Sequence, residues 1–310
     1  MSRTPAYQIR LGGYGPSSTC FSKGLRYIGE RLSKTYGDEV DVKYIYNILD
    51  LDYRSEDILW LVESGMLTIG YQSTSYFTQR VPEMGVLDLP FVFQDRIVAR
   101  NLMDGELGET LAAKLEDHMA CRILGYFENG FRHISNNLRP IHMPEDLSGM
   151  RIRVLPSEIQ SRTFEHLGAI PLSMDLSEAL QCIASGTIEA QENPLANTVT
   201  YGAHKYHRFH TLSGHSYLSR PIMVHRPSFE GLRNEIRTTL VEAVREAIVL
   251  QRQLAIEEEN EARNQILIEQ GEIHELADVE YNAFRQSVSP LLDKARTIFD
   301  QNILSLLPSL

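Results

Sequence analysis

The chain has 310 residues, 43% of them hydrophobic, which is enough for a substantial buried core and predicts two lobes. Its net charge of −11 argues against a nucleic-acid or anionic-lipid surface, so an anionic guest would have to be drawn by local arginines against the global field. No run approaches 18 apolar residues, and Cys20, Cys121 and Cys182 are too scattered for a disulfide framework or zinc site, so they read as small buried hydrophobes.

In chain order, Met1–Pro5 lacks the apolar core of a secretory signal, which predicts either a signal already removed or a protein retained in the cell. Tyr7, Ile9 and Leu11 alternate with polar residues as a strand does, and Gly12–Ser18 reads as a loop. Phe21, Leu25, Ile28 and Leu32 fall at helical spacing up to Gly37, and Val40, Val42 and Tyr44 alternate again. Strand, helix, strand is the opening of a parallel α/β sheet.

Two later segments echo each other. In the first, Ser55 is a candidate N-cap for a helix carrying Ile58, Leu59, Leu61 and Val62. That helix stops at Ser64-Gly65, before a strand at Met66–Gly70 and a polar tip, Tyr71-Gln72-Ser73. In the second, Asp175 and Glu178 form a candidate capping box, and the helix carries Leu176, Leu180 and Ile183. It stops at Ser185-Gly186, before a strand at Thr187–Ala190 and the tip Gln191-Glu192-Asn193-Pro194. Coincidence is the plain alternative, since such joints are common. One such unit per lobe would aim both tips at a shared ligand cleft, because open α/β sheets bind beyond the carboxyl ends of their strands. From Pro227 the pattern becomes helical. Ser228 is a candidate cap for a long helix whose Leu232, Ile236, Leu240, Val244 and Ile248 share a face, running to about Gln270. Tyr281–Asp300 forms a last amphipathic helix.

Gly149–Val154 reads as a strand with Arg151 and Arg153 on the face opposite Ile152 and Val154. An arginine there is either a structural ion pair or a fork aimed at a carboxylate, which its planar donors match. Arg132 sits on a strand-like Asn129–Asn137 and reads equally as a surface arginine. Asn193 before Pro194 reads as a turn residue. His204, His207, His210 and His215 crowd one region without a zinc spacing, so no metal site is expected, and His215 is a candidate for a ligand hydrogen bond. Nucleophile-elbow, dinucleotide and phosphate-loop motifs are absent, so neither a catalytic residue nor a cofactor is assigned.

Taken together, Gly149–Val154, Gln191-Glu192-Asn193-Pro194, Leu89-Pro90-Phe91-Val92-Phe93 and Ser135-Asn136 before Arg139-Pro140 resemble the solute-binding subunits of tripartite ATP-independent periplasmic (TRAP) transporters, the DctP-like family. The resemblance runs from Tyr7 to about Phe299. It implies an α/β, two-lobed periplasmic-binding-protein-like fold (type II-like), with mixed sheets flanked by helices and a long helix spanning both lobes. Lobe I would be residues 1–129 with 218–258, and lobe II residues 130–217 with 259–310. The resemblance also implies closure on a small organic acid, with Arg153 clamping the carboxylate and Arg132 and Asn193 adding donors on the same side. His215, Tyr71 and its neighbour Gln72, and Asp175 with Leu176 fall near variable pocket positions, and Tyr14 would suit a ring or hydroxylated chain. The implied protein is periplasmic, its signal peptide removed, and monomeric, and it delivers its ligand to the small and large TRAP membrane subunits. The competing readings are an enzyme on the same scaffold using Glu192 or His215 as base, and a cytoplasmic acid sensor.

Overall fold

A computed structural model describes residues 5–308, so Met1–Thr4, weighed above for a signal segment, lie outside the described residues. The chain opens with β1 (Tyr7–Gly12), α1 (Cys20–Tyr36), β2 (Val40–Ile45), α2 (Ile58–Glu63) and β3 (Ile69–Tyr71). Helices α3 (Arg96–Asp104) and α4 (Glu106–His118) lead into a long strand, β4 (Cys121–Asn136). Strands and helices then alternate: β5 (Arg151–Val154), α5 (Glu158–His166), β6 (Ile170–Ser173), α6 (Leu176–Ala184), β7 (Ala190–Asn193) and α7 (Leu195–Thr200). A second long strand, β8 (Phe209–His225), precedes α8 (Arg226–Glu230), α9 (Asn234–Ile268), β9 (Glu272–Glu275), α10 (Asp278–Ile298) and α11 (Gln301–Leu304).

Two compact units emerge. Unit 1 comprises residues 1–73, 112–128 and 219–256; unit 2 comprises 74–111, 129–218 and 257–310. Residues 74–111 therefore group with unit 2, whereas the expected bounds of lobe I, residues 1–129 with 218–258, included them. α4, β4, β8 and α9 each contribute residues to both units.

In unit 1, β1 pairs in parallel with β2 and β3, and β3 pairs antiparallel with the last part of β8. The expected face of α1, with Phe21, Leu25, Ile28 and Leu32, is buried, and Thr19 Oγ1 caps the helix by accepting from Ser22 N at 3.2 Å. In unit 2, β7 lies between β4 (antiparallel) and β5 (parallel), and β6 adds in parallel to β5. One core there joins Ile134, Ile152, Val154 and Ala190 to Phe164 of α5 and to Phe284 and Val288 of α10. β9 lies parallel to the start of β8.

The echoed segments share their helix stop. Ser64 N donates to Trp60 O and Gly65 N to Val62 O; Ser185 N donates to Gln181 O and Gly186 N to Ile183 O. Gly65 and Gly186 have φ of 71° and 70°, the left-handed turn that ends a helix and which side chains resist.

Several local readings are corrected. Ser55 is not the residue that precedes α2; it starts a single tight turn before it, and the Asp57 carboxylate accepts from Arg54 N at 2.7 Å. Asp175 does cap α6, but by bonding Ser177, with no reciprocal bond from Glu178. The strands after the glycine stops begin later than expected, at Ile69 and Ala190, because the C-cap turn consumes the first residues. Ser228 does not start the long helix: it lies in α8 with its hydroxyl on His225, and α9 starts at Asn234, leaving Leu232 between the two.

Candidate functional site

Arg153 stands on β5 one residue before the strand ends. Its flanking residues Ile152 and Val154 point into the α5 core, so alternation turns Arg153 to the other face. There it is 1% exposed. Its Nε and Nη2 donate to Met174 O at 3.2 and 3.1 Å, and Nη2 approaches Tyr76 Oη at 3.4 Å. No carboxylate pairs with it among the described residues. A buried cation held only by a carbonyl and a phenol keeps most of its charge uncompensated, which is costly unless an anion completes it. Arg151, two residues earlier, is by contrast exposed and forked onto Glu189, the structural ion pair that was the other reading of this strand.

Register decides which residues share the Arg153 face. Arg153 lies opposite Gln191, and Gln191 opposite Ser135; Asn193, two residues along β7, faces the same way. Asn193 is buried, its Oδ1 accepts from Asn197 Nδ2 at 3.2 Å, and its own Nδ2 has no protein acceptor among the described residues. Asp175 and Leu176 follow Met174, the residue whose carbonyl receives Arg153, and Asp175 is occupied as the α6 cap. Arg153, Asn193 and the α6 start therefore gather at the carboxyl ends of neighbouring parallel strands.

Arg132 falls elsewhere. It is on the same face of β4 as Ile134, which pairs with Glu192, so it lies on the sheet face opposite Arg153 and Asn193 rather than on their side as expected. The register of a central strand, invisible in the local sequence, causes the difference. Arg132 and Glu192 form a fully buried pair: Nε bonds one carboxylate oxygen, and Nη2 bonds the other at 2.8 Å and Glu192 O at 2.7 Å. Burial alone would raise the Glu192 pKa, but the Arg132 charge and the adjacent His215 overcome it and hold it near 2. His215, expected just beyond a short strand, lies inside the long β8. Its Nδ1 meets Ser213 Oγ at 2.7 Å, its Nε2 lies 3.5 Å from Glu192, and its ring packs edge-on to Phe164. Burial pushes its pKa down, so the imidazole is neutral at pH 7.

Unit 1 holds the remaining candidates. Tyr71 is buried against Tyr14 (centroids 5.3 Å), Phe21 (5.3 Å) and Phe127 (5.9 Å). Arg220, which the sequence reading passed over, lies 3.8 Å over the Phe21 ring, 5.0 Å from Tyr14 and 5.6 Å from Tyr71. The available signal was an arginine inside the apolar run Tyr217–Met223. Gln72 is tied at both ends, its Nε2 to Ser55 O at 2.5 Å and its Oε1 to Ser73 N at 2.8 Å, so its side chain organises its own loop.

The quoted family motifs also acquire reasons. Phe91 is a buried residue with φ of 59°, and its N–H donates to His215 O at 2.8 Å. Asn136 Oδ1 accepts from Leu138 N and Arg139 N, turning the chain out of β4.

Two α/β units, one holding a buried arginine with no acidic partner among the described residues, describe a binding protein for a small anion. The sequence matches the DctP family model, bacterial extracellular solute-binding protein family 7, over residues 13–297, and the chain belongs to that family, the solute-binding subunits of TRAP transporters. It is 30% identical over 275 residues to the C4-dicarboxylate-binding periplasmic protein DctP of Rhodobacter capsulatus, covering 88% of this chain and 81% of that one. It is 28% identical to the 2,3-diketo-L-gulonate-binding periplasmic protein YiaO of Escherichia coli, covering 83% of each. Among solved structures, the sugar acid binding protein DctPAm of Advenella mimigardefordensis, in complex with galactonate, superposes with a TM-score of 0.92 at 25% identity, covering 98% and 97% of the two chains. A TRAP periplasmic solute-binding protein of Sulfurospirillum deleyianum with bound succinate gives 0.90 at 25% identity, covering 97% and 98%.

Proposed function

We propose that the protein is a periplasmic solute-binding protein that captures a small organic acid on Arg153 and passes it, unchanged, to the membrane subunits of a TRAP transporter. The observation that carries this reading is the burial of Arg153 with no carboxylate to neutralise it among the described residues. An incoming carboxylate would accept charge-assisted hydrogen bonds from this guanidinium, and Asn193 Nδ2 would add a donor from the same face. Arg132 then acts through Glu192: with Nε and Nη2 committed to it, Arg132 fixes a neutralised pair beside His215. The acids named for the relatives, from succinate to galactonate, share only the carboxylate, which is the part an arginine fork reads.

The enzyme reading has less support. Glu192 is held near a pKa of 2 by Arg132, and His215 is pushed down by burial, so neither is tuned as a base for neutral pH. A thermal-shift screen of sugar acids, aromatic acids and short dicarboxylates tests the proposal: an acid that binds only the folded state raises the melting temperature. The bound acid should be recovered chemically intact after release. A panel with no stabilising acid, or conversion of the acid during incubation, would contradict it.

A further inference from the structure

We propose a second binding site in unit 2, for one divalent transition-metal ion of the zinc type, formed by His142, His274 and Glu280. The three residues are 132 and 6 positions apart in turn, so no local spacing in the sequence announces them. The fold nonetheless brings their ligand atoms together. His142 Nδ1 lies 3.1 Å from His274 Nε2 and 3.0 Å from Glu280 Oε1, and His274 Nε2 lies 2.8 Å from Glu280 Oε2. The imidazole rings lie tilted at 59° to one another with centroids 4.1 Å apart.

Each ligand is held by a separate backbone anchor. His142 follows β4 in a loop where Asp146 Oδ2 accepts from His142 N and Met143 N, both at 2.9 Å. His274 is fixed by the pairing of β9 with β8 opposite Thr211, and the Thr211 hydroxyl donates to Ile141 O at 3.0 Å, tying the His142 loop to the same strand. Glu280 is in the first turn of α10, where its Oε2 accepts from Ala277 N at 2.7 Å. That leaves Oε1 as a metal ligand oriented by a backbone bond on its partner oxygen, a common support for such ligands.

In the metal-free protein both neutral imidazoles can take the tautomer that donates to the carboxylate, His142 Nδ1–H to Oε1 and His274 Nε2–H to Oε2, so the same atoms are held together before any ion arrives. With the other tautomer each imidazole offers a lone pair at the same nitrogen, and a cation at their centre would take one from each ring and one from the carboxylate. Zinc bonds of about 2.0–2.1 Å in tetrahedral array set ligand atoms about 3.3 Å apart, and both contacts of His142 Nδ1, to His274 Nε2 and to Glu280 Oε1, fall within a few tenths of an ångström of that. Two nitrogens and one oxygen suit zinc or its neighbours, not calcium or magnesium. His142 is half exposed, which leaves the outer coordination position to water. A bound ion would clip the loop after β4, β9 and the start of α10 into one piece.

The test is equilibrium dialysis of tag-free protein against Zn2+, with metal analysis and thermal melts, for wild type, His142→Ala and Glu280→Gln. Glutamine still caps Ala277 N, and His142 lies on an exposed loop, so both variants should melt like wild type when metal-free. The expected result is one Zn2+ per chain, a higher melting temperature with Zn2+, and binding weakened by more than about tenfold in each variant. Binding that is substoichiometric, or equal in wild type and both variants, would overturn the site, the latter placing the ion elsewhere. Organic-acid binding should be the same in all three, so a failure here is separate from a failure of the Arg153 reading.

Discussion

Two arginines that the sequence could not tell apart have opposite fates. Arg132 and Arg153 both sit on strands among apolar neighbours, and only the cross-strand register shows that one meets Glu192 and the other meets no acid. Predictions at this scale follow from the partners. Glu192→Gln leaves the Arg132 guanidinium buried without its counter-charge, so urea unfolding should show a loss of about 3 kcal/mol or more. Loss of less than about 0.5 kcal/mol would mean that Arg132 finds water or another acceptor. Arg220 had no such contrast to expose it in the sequence, because its ring partners Tyr14, Phe21 and Tyr71 come from distant segments.

Elements were legible where periodicity or a glycine marks them. The apolar stripe of α1 and the alternation of β1 survive, since local spacing and burial agree there, whereas in β2 only Val40 is buried and Val42 and Tyr44 are half-buried. The paired helix stops are the sharper case. Gly186 has open space around a hypothetical Cβ, whereas a Cβ at Gly65 would come within 2.7 Å of the His225 ring. Gly186→Ala should therefore cost about 1–2 kcal/mol from the left-handed backbone alone, and Gly65→Ala more than that. Denaturant melts of the two variants check the ordering, and equal losses would assign the whole effect to backbone conformation. What stayed illegible has a physical cause. Strands β4 and β8 run far past their apparent ends because they carry polar residues that are nonetheless buried, among them Asn129, Arg132, Ser213 and His215. Helices α3 and α4 and strand β9 were missed: α3 and β9 expose much of their surface, and α4 follows α3 with little beyond Gly105 to mark the joint.

Across the molecule, ionisable burial is concentrated in unit 2. His133, His207 and His210 are pushed down to about 3, 3 and 4 by burial, and His215 is also lowered. Below an unfolded pKa of about 6.5 the unfolded chain takes up three protons at His133, His207 and His210 that the folded chain refuses, so stability falls as pH drops, and His215 acts in the same direction. Asp88, raised to about 6 by burial, works the other way and adds stability as pH falls toward its unfolded value. For the three histidines less Asp88 the difference is about two protons near pH 5.5, which predicts a slope of about 3 kcal/mol per pH unit in chemical unfolding followed from pH 6 to 5. A flat profile there would show that these histidines are hydrated in the native state. At this scale the family motifs were the most informative part of the sequence, because they report an arrangement of segments rather than any one segment. The division into units was less so, since the chain crosses between them several times and residues 74–111, expected in lobe I, joined unit 2.

The buried, unpaired guanidinium at position 153 is best tested by a single variant measured in two ways, Arg153→Ala in calorimetric titration with the stabilising acid and in ligand-free unfolding. Hydrogen bonds to charged groups contribute about 1.5–3 kcal/mol each, so affinity should fall by more than about tenfold. The empty protein should be no less stable than wild type, because an uncompensated buried charge has been removed. Unchanged affinity, or intact binding joined to a large loss of stability, would show that Arg153 is part of the scaffold and not the acid's partner.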